Sequence, residues 1–149
     1  EDLSENATIK SAYIFKKFGI DVFSDDTGLE IEALDNKPGV YSARYAGEEG
    51  NSEANIEKVL MELKGILNRT ARFRTVISLF FGGQEYQFEG IVIGKISTEK
   101  HGVSGFGYDP IFIPEFNDLS FAEMSAKEKN KISHRARATA KLIEFLSKV

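Results

Sequence analysis

The sequence predicts one α/β domain in which helices flank a mixed β-sheet that contains a long antiparallel hairpin. Two β-rich runs, residues 71–81 and 84–97, are separated only by Gly82 and Gly83. A glycine pair tolerates the positive φ angles of a tight hairpin turn, so these runs are expected to pair. Helical and strand patterns alternate along the rest of the chain, and this alternation also permits parallel strand pairs.

Three stretches carry apolar residues at helical spacing. The first, residues 1–19, has Ser4 as a candidate cap and ends at Gly19, a residue suited to the position just past a helix. The second covers residues 51–67, and the third runs from about residue 132 to residue 148. The apolar residues assigned to these stripes are Ala7, Ile9, Ala12, Tyr13, Ile14, Phe18, Ile56, Val59, Leu60, Leu63, Ile132, Ala136, Leu142, Ile143, Phe145 and Leu146.

Short strands and loops are predicted between the helices. Residues 22–23 begin a strand region that contributes one or two strands, followed by an irregular loop at residues 38–50. A further short strand is predicted at residues 111–113. Ser120 and Ser125 each stand three residues before a glutamate, which is the capping-box pattern of a helix start.

The composition narrows the function classes. The chain has 149 residues, 42% hydrophobic and 28% charged, as expected for one globular domain. Its net charge of −4 is unsuited to binding nucleic-acid backbone, so we expect no nucleic-acid partner. The absence of cysteine excludes disulfides, zinc thiolate sites and thiol catalysis. No signal peptide and no apolar run near the roughly 18 residues of a membrane span is visible, so we expect a cytoplasmic protein without a membrane partner.

Two adjacent carboxylates, Asp25 and Asp26, stand before Thr27 and Gly28 at the first strand run. Successive strand side chains point to opposite faces, so both aspartates can serve one site only if the backbone turns between them. Gly28 has the conformational freedom for such a turn. Carboxylate and hydroxyl oxygens are ligands that Mg²⁺ prefers and often shares with phosphate, so a magnesium site is one interpretation and a solvated turn is the other.

An aromatic loop lies at residues 104–110, where two glycines flank Phe106 and precede Tyr108 and Asp109. Aromatic faces bind flat heterocycles by stacking, and a carboxylate accepts hydrogen bonds from ring N–H groups. This combination favours a site for a heterocyclic base. An aromatic turn packed on the core is the structural alternative.

A basic cluster at the start of the last predicted helix contains Lys129, Lys131, His134 and Arg135. Cations are mildly unfavourable at the positive end of a helix dipole unless an anionic or electron-rich ligand binds there. Such a local conflict often marks function, although a solvated face and a structural histidine are the alternatives. The acidic strand end, the aromatic loop and this cluster together predict a nucleotide pocket.

At these residues the sequence resembles the inosine triphosphate pyrophosphatase family, also called the HAM1-like or non-canonical purine NTP pyrophosphatases. The matching segments occur in the family's order and span nearly the whole chain. They are Glu5-Asn6-Ala7 with Lys10, residues 25–29, residues 38–47, residues 105–110, and Ser133-His134-Arg135. The resemblance implies the family's fold and Mg²⁺-dependent hydrolysis of ITP, dITP and XTP to the monophosphate and pyrophosphate.

The resemblance also implies a role for each matching residue and a homodimeric assembly. Asp26 would be the metal-linked carboxylate and the proton acceptor for the attacking water. Lys10 would face the phosphates, and Thr27 would touch the substrate through the hydroxyl that the family commonly supplies from serine. The residues that would hold the base are Phe106, Gly107, Tyr108, Asp109, Lys129, His134 and Arg135.

One departure from the family pattern stands at the start of the chain. Family members begin with a strand, a phosphate-gripping loop, a helix and a further strand before the Glu5-Asn6-Ala7 segment. We therefore expect residues 1–149 to form a single ITPase-like domain that lacks the N-terminal strand and helix and turns over substrate poorly. The alternatives are a catalytically silent nucleotide-binding or dimerisation module, a Maf-like pyrophosphatase whose signatures are not matched, and an RNA-binding domain that the net charge disfavours.

Overall fold

A five-stranded antiparallel sheet is the centre of the computed structural model, which describes residues 2–149. Its strands lie in the order β2-β1-β3-β4-β5. The strand bounds are β1 Val22–Ile31, β2 Lys37–Pro38, β3 Thr70–Phe81, β4 Gln84–Ile96 and β5 Phe112–Pro114. No helix within residues 2–149 has both the length and the apolar character that crossing a membrane requires.

The predicted long hairpin is confirmed. Strands β3 and β4 pair from Thr70 and Lys95 to Phe81 and Gln84. The two-residue turn between them consists of Gly82 and Gly83, with φ angles of +61° and +82°. Both angles lie in the left-handed region that glycine adopts without a steric penalty, which is why this turn joins the strands.

The strand pairs within residues 2–149 are all antiparallel, so the parallel pairs that the helix–strand alternation permitted do not occur there. The register gives the reason. Ile31 at the end of β1 pairs with Ala71 near the start of β3, so the chain re-enters the sheet at the end where it left. The helix between these strands therefore does not cross the length of the sheet, as a parallel connection would require.

Four helices flank the sheet: α1 Leu3–Phe18, α2 Ser52–Glu62, α3 Ala126–Ile132 and α4 His134–Leu146. The capping boxes predicted at Ser120 and Ser125 are both present, the first on a 3₁₀ turn and the second on α3. The last long helix was predicted from about residue 132, but Ser133 ends α3 and caps α4 with its side chain. The extended φ and ψ of Ser133 separate the two helices.

The sheet has two different faces because side chains alternate along each strand. Helix α1 covers one face, where Leu3 and Ala7 pack on Val76. Helix α4 covers part of the other face, where Ala138 and Leu142 pack on Ile77 and Leu79. The main core lies on this second face. Its most deeply buried members are Leu29, Ile31, Ile56, Val59, Leu63, Ile96, Ile111, Phe112 and Phe121.

The apolar stripe predicted for the first helix is wrong at three of its six residues. Ile9, Tyr13 and Phe18 are 59–65% exposed, whereas Ala7 and Ser11 are fully buried. Small residues face the sheet because the helix lies close to it, with the Ser11 hydroxyl 2.7 Å from the Ser78 hydroxyl. The cap also differs from the predicted Ser4, since the Asp2 carboxylate accepts the Glu5 backbone N–H.

Candidate functional site

A cavity of about 310 Å³ opens on the sheet face opposite α1. It lies between β1, helix α2, the loop at residues 105–109 and the junction of α3 and α4. We call residues 105–109 the base loop. The residues lining the cavity are Thr27, Gly28, Leu29, Ser42, Ala43, Gly50, Ser52, Asn55, Phe73, Phe106, Gly107, Tyr108, Asp109, Lys129, His134 and Arg135.

Strand β1 continues without a break through both aspartates, so the turn that would let Asp25 and Asp26 serve one site is not present. The two carboxylates therefore lie on opposite faces of the sheet. Asp25 approaches Arg135 on the cavity side, with 3.4 Å between Oδ2 and Nη2, while Asp26 lies on the α1 side. Gly28 has a different purpose from the one predicted. A Cβ at this position would be 2.5 Å from the Gly39 carbonyl oxygen, so glycine permits a close approach of two backbone segments.

Asp26 has the environment of a cation ligand. Its Oδ1 is 3.8 Å from the Lys10 ammonium, which also donates a hydrogen bond to the Asp25 carbonyl. Its Oδ2 is buried and accepts no hydrogen bond from the residues described here. Buried polar atoms are normally satisfied, so a buried carboxylate oxygen without a hydrogen-bond partner fits the role of a cation ligand. No cluster of three or more metal-ligating side chains is present within residues 2–149. Magnesium commonly uses only one or two carboxylates together with substrate phosphates, so this donor set remains compatible with it.

Thr27 connects β1 to the cavity floor. Its hydroxyl lies 2.8 Å from the Thr75 hydroxyl on the neighbouring strand and 3.5 Å from the Arg135 guanidinium. Thr75 is fully buried, so this pair fixes the rotamer of Thr27. The hydroxyl predicted to touch the substrate is therefore held at the edge of the cavity nearest to Asp25.

The Phe106 ring projects from the base loop and is 66% exposed. Two cations approach its ring centroid: the Lys129 ammonium at 4.5 Å and the Arg135 guanidinium carbon at 5.9 Å. Cations near an aromatic ring are stabilised by the negative potential of its face. The exposed ring and the two cations together form a surface suited to an electron-rich flat group.

The Asp109 carboxylate is engaged inside the protein. It is 3% exposed, accepts the Phe106 backbone N–H at 3.1 Å and pairs with the Lys129 ammonium at 2.5 Å. These contacts close the base loop around the Asp109 carboxylate. They also hold the Lys129 charge beside the Phe106 ring, so Asp109 orients the two groups that face the cavity.

The Tyr108 ring is 5% exposed, and its hydroxyl donates a 2.6 Å hydrogen bond to the Ser42 carbonyl. Burial, with a smaller effect of nearby Tyr45, raises the pKa of Tyr108 well above its ordinary value. The hydroxyl therefore stays protonated and keeps its hydrogen bond. Tyr108 lines the cavity with its ring and joins the base loop to the segment that contains Ser42.

His134 forms the wall of the cavity at the start of α4. Its ring stacks on Phe73 with centroids 4.6 Å apart and planes 18° apart, and it is 6% exposed. Burial, followed by the charges of Arg135 and Lys129, lowers the pKa of His134 from 6.5 to about 3. The ring is therefore neutral at physiological pH. Its Nδ1 is buried and has no hydrogen-bond partner among the described residues.

Eight of the sixteen lining residues were not predicted as site residues, and two of these, Ser42 and Asn55, make hydrogen bonds that shape the cavity. Ser42 falls within a matching family segment but received no role. Asn55 lies inside α2 beside the buried Ile56 and is itself 4% exposed. A polar residue on the buried stripe of a helix needs hydrogen-bond partners, and that was the available signal. The identity of those partners depends on residues 42–46, whose position the sequence pattern does not reveal.

Comparison with known proteins identifies the family of this chain. A family model described as the Ham1 family matches residues 1–145. The chain belongs to the Ham1 family. It is 55% identical to a dITP/XTP pyrophosphatase of Christiangramia forsetii, over 99% of this chain and 78% of that protein. It is 52% identical to a dITP/XTP pyrophosphatase of Bacillus subtilis, over 95% of this chain and 73% of that protein.

Solved structures of Ham1 proteins share the fold. The Staphylococcus aureus Ham1 protein superimposes with a TM-score of 0.97 at 44% identity, covering 99% of this chain and 78% of its own. A HAM1 protein from Coxiella burnetii gives a TM-score of 0.95 at 38% identity, with the same coverage. The predicted family and its α/β fold are therefore confirmed.

Eight of the ten site residues predicted for this Ham1 chain line the cavity. These eight are Thr27, Phe106, Gly107, Tyr108, Asp109, Lys129, His134 and Arg135. Lys10 and Asp26 are not among the lining residues and lie together on the other face of β1. The roles assigned to all ten stay predictions. The predicted single cleft is thus divided between two faces of one strand.

The variant His134→Gln is expected to lose less stability than the wild type when the pH is lowered from neutral to mildly acidic values. The unfolded chain binds a proton at this histidine below about pH 6.5, whereas the folded chain does so only near pH 3. Between these values the unfolded state binds more protons, so the free energy of unfolding falls as the pH is lowered from 6.5. The fall due to His134 is at most about 1.4 kcal/mol per pH unit.

Urea unfolding at pH 7.5, 6.0 and 5.0 measures this slope. A His101→Gln variant, which removes a histidine outside the cavity, is the matched control. Equal slopes for the wild type and His134→Gln would contradict a buried neutral ring.

Proposed function

We propose that this chain hydrolyses non-canonical purine nucleoside triphosphates, with dITP, XTP and ITP as substrates, to the monophosphate and pyrophosphate. The observation that carries the proposal is the cavity that joins the exposed Phe106 ring and its two cations to the acidic strand β1. The relatives from Christiangramia forsetii and Bacillus subtilis, both dITP/XTP pyrophosphatases, support the same activity. The homodimer, the single domain and the cytoplasmic location stay predictions.

The base would occupy the cavity against Phe106. Stacking on an aromatic ring is worth about 1–3 kcal/mol per base. Lys129 and Arg135 both stand beside that ring and offer N–H donors. Because the cavity walls include the buried His134 and Tyr108, a ring inside would be largely shielded from water.

The phosphates would pass over the outer edge of β1. Strand β2 pairs with β1 only at Glu30 and Ile31, so within residues 2–149 no strand lies beside Val22–Leu29 of that edge. The outer edge of β1 separates the cavity from Asp26 by the width of one strand. A triphosphate that crosses it could reach Arg135 and Thr27 on one side and Lys10 on the other. The base would then lie on the cavity face of the sheet, and the phosphates would extend toward the α1 face.

Mg²⁺ would be held by Asp26, whose buried Oδ2 has no partner among the described residues. When bound, the ion neutralises phosphate charge and positions the attacked phosphorus. Asp26 would also accept the proton of the attacking water, and Lys10 would add positive charge beside the leaving phosphates. These roles use groups that the structure brings within 3.8 Å of one another.

Discrimination would depend on the 6-keto oxygen of the purine. Donors in the cavity can pair with this oxygen in hypoxanthine and xanthine. Adenine carries an amino group at that position, so the same donors would be left unpaired and buried, which is costly. Rejection of GTP needs a further contact at position 2 of the ring, because guanine keeps the 6-keto group.

Pyrophosphate release from a panel of ITP, dITP, XTP, GTP and ATP tests the proposal. We expect release from the first three in the presence of Mg²⁺, little release from GTP and ATP, and none after chelation of the metal. Binding of ITP without release would instead support a catalytically silent nucleotide-binding module. Equal turnover of ATP and ITP would contradict the proposed selectivity.

The variant Asp26→Asn should lose turnover and keep ITP binding. Loss of a general base and metal ligand is expected to lower kcat by about 100-fold or more. Asp25→Asn is the matched control, because the neighbouring carboxylate lies on the other face of β1 and contacts Arg135. Its loss of kcat should be clearly smaller, and equal losses would contradict the separate assignment of the two aspartates.

The variant Phe106→Ala should weaken ITP binding by about 1–3 kcal/mol, because the stacking surface is removed. Isothermal titration with ITP measures this change. Phe116→Ala is the control, since Phe116 is 98% exposed and does not line the cavity. An unchanged affinity of Phe106→Ala would show that the base loop is only a structural turn.

A further inference from the structure

One wall of the cavity is formed by residues 39–46, which we call the wall segment. It contains a 3₁₀ turn, Gly39–Arg44, in which no side chain is buried. Ser42 and Ala43 of this segment line the cavity. Apolar packing of the wall segment is limited to the partly buried Val40 and Tyr45, so hydrogen bonds from its neighbours add to what fixes its position.

Asn55 supplies three of these hydrogen bonds from helix α2. Its Oδ1 accepts the Ala46 backbone N–H at 2.7 Å, and its Nδ2 donates to the carbonyls of Ala43 at 3.1 Å and Ser42 at 3.4 Å. The helix that carries Asn55 is rigidly placed, because Ile56 and Val59 are buried in the main core. Through these hydrogen bonds, Asn55 fixes the wall segment relative to the main core.

The Ser42 carbonyl accepts hydrogen bonds from two different parts of the cavity. It accepts from Asn55 and also from the Tyr108 hydroxyl of the base loop, at 2.6 Å. The Ser42 hydroxyl in turn accepts the Leu29 backbone N–H of β1 at 2.9 Å and donates to the Gly39 carbonyl. One residue therefore connects helix α2, the base loop and strand β1.

We propose that Asn55 is a positioning residue that sets the spacing between the wall segment and the base loop, and thereby the discrimination among purine bases. This inference rests on the proposed function, in which the base lies between these two elements. Discrimination requires that donors left unpaired by the wrong base stay buried and cannot be rescued by water. A wall that moves outward admits water and weakens that penalty. A 6-keto purine would lose less binding free energy, because its hydrogen bonds depend less on the exclusion of water.

Two variants separate the contacts of Asn55. Asn55→Ala removes all three hydrogen bonds. Asn55→Asp keeps the acceptor for Ala46 but places a carboxylate oxygen against the carbonyls of Ser42 and Ala43, so it should displace the wall segment as well. Asn51→Ala is the matched control. Asn51 caps the same helix through the Ala54 N–H and does not line the cavity, so its removal weakens α2 without touching the wall segment.

Hydrogen–deuterium exchange of the chain without ligand tests the coupling directly. We expect faster exchange at residues 39–46 and also at residues 105–109 in both Asn55 variants, with unchanged rates at residues 105–109 in Asn51→Ala. Normal exchange at residues 105–109 in the Asn55 variants would overturn the inference. This readout needs no substrate, so it stands or falls independently of the proposed function.

Selectivity is the second readout. The ratio of kcat/KM for ITP to that for ATP should fall about tenfold in Asn55→Asp, as expected for one or two lost hydrogen bonds, and it should be unchanged in Asn51→Ala. A wild-type chain that discriminates, together with an Asn55→Asp variant that discriminates equally well, would overturn the positioning role and leave the proposed function intact. A wild-type chain without any preference for ITP would overturn the proposed function and, with it, the claim that the spacing serves base selection.

Discussion

The side-chain alternation of the unbroken strand β1 is the constraint on which the site depends. Because the strand continues without a break from Val22 to Ile31, consecutive side chains must face opposite sides of the sheet. Asp25 and Thr27 therefore turn toward α4 and the cavity, while Asp26 and Gly28 turn toward α1. A site that uses both sides has to include the edge of this strand. Within residues 2–149, strand β2 pairs with that edge only at Glu30 and Ile31.

At the end of the cavity beside Phe106, contacts within the protein hold the charged side chains in place. Lys129 is paired with the buried Asp109 and at the same time lies beside the Phe106 ring. Burying this pair has a desolvation cost, and removal of either partner would leave an uncompensated charge. The neutral His134 ring stacks on Phe73 behind them. The arrangement limits positive charge at the cavity wall to Lys129 and Arg135, both of which stand beside the aromatic ring.

The cavity wall at residues 39–46 is held in part by hydrogen bonds to the backbone. Val40 and Tyr45 of this segment are only partly buried, and the segment is also connected to α2, β1 and the base loop through Asn55 and Ser42. Hydrogen bonds of this kind are directional, so they position a wall more sharply than apolar contacts of the same free energy would. The hydrophobic core contributes Leu29, Phe73 and Tyr108 to the cavity lining, and it also fixes the helix from which Asn55 extends.

Local patterns in the sequence were sufficient for some features of this protein and insufficient for others. The Gly82-Gly83 hairpin, the capping boxes at Ser120 and Ser125, and the grouping of residues that line the cavity all depend on neighbours in the chain or on family motifs that carry their own chemistry. The tertiary structure alone decided that β1 passes straight through its two aspartates and that every strand pair in residues 2–149 is antiparallel. It also decided that Ser11 rather than Tyr13 faces the sheet and that Asn55 holds the cavity wall. These outcomes depend on contacts between residues that are far apart in the chain, and a local pattern records which residue types are present but not which distant groups they will meet.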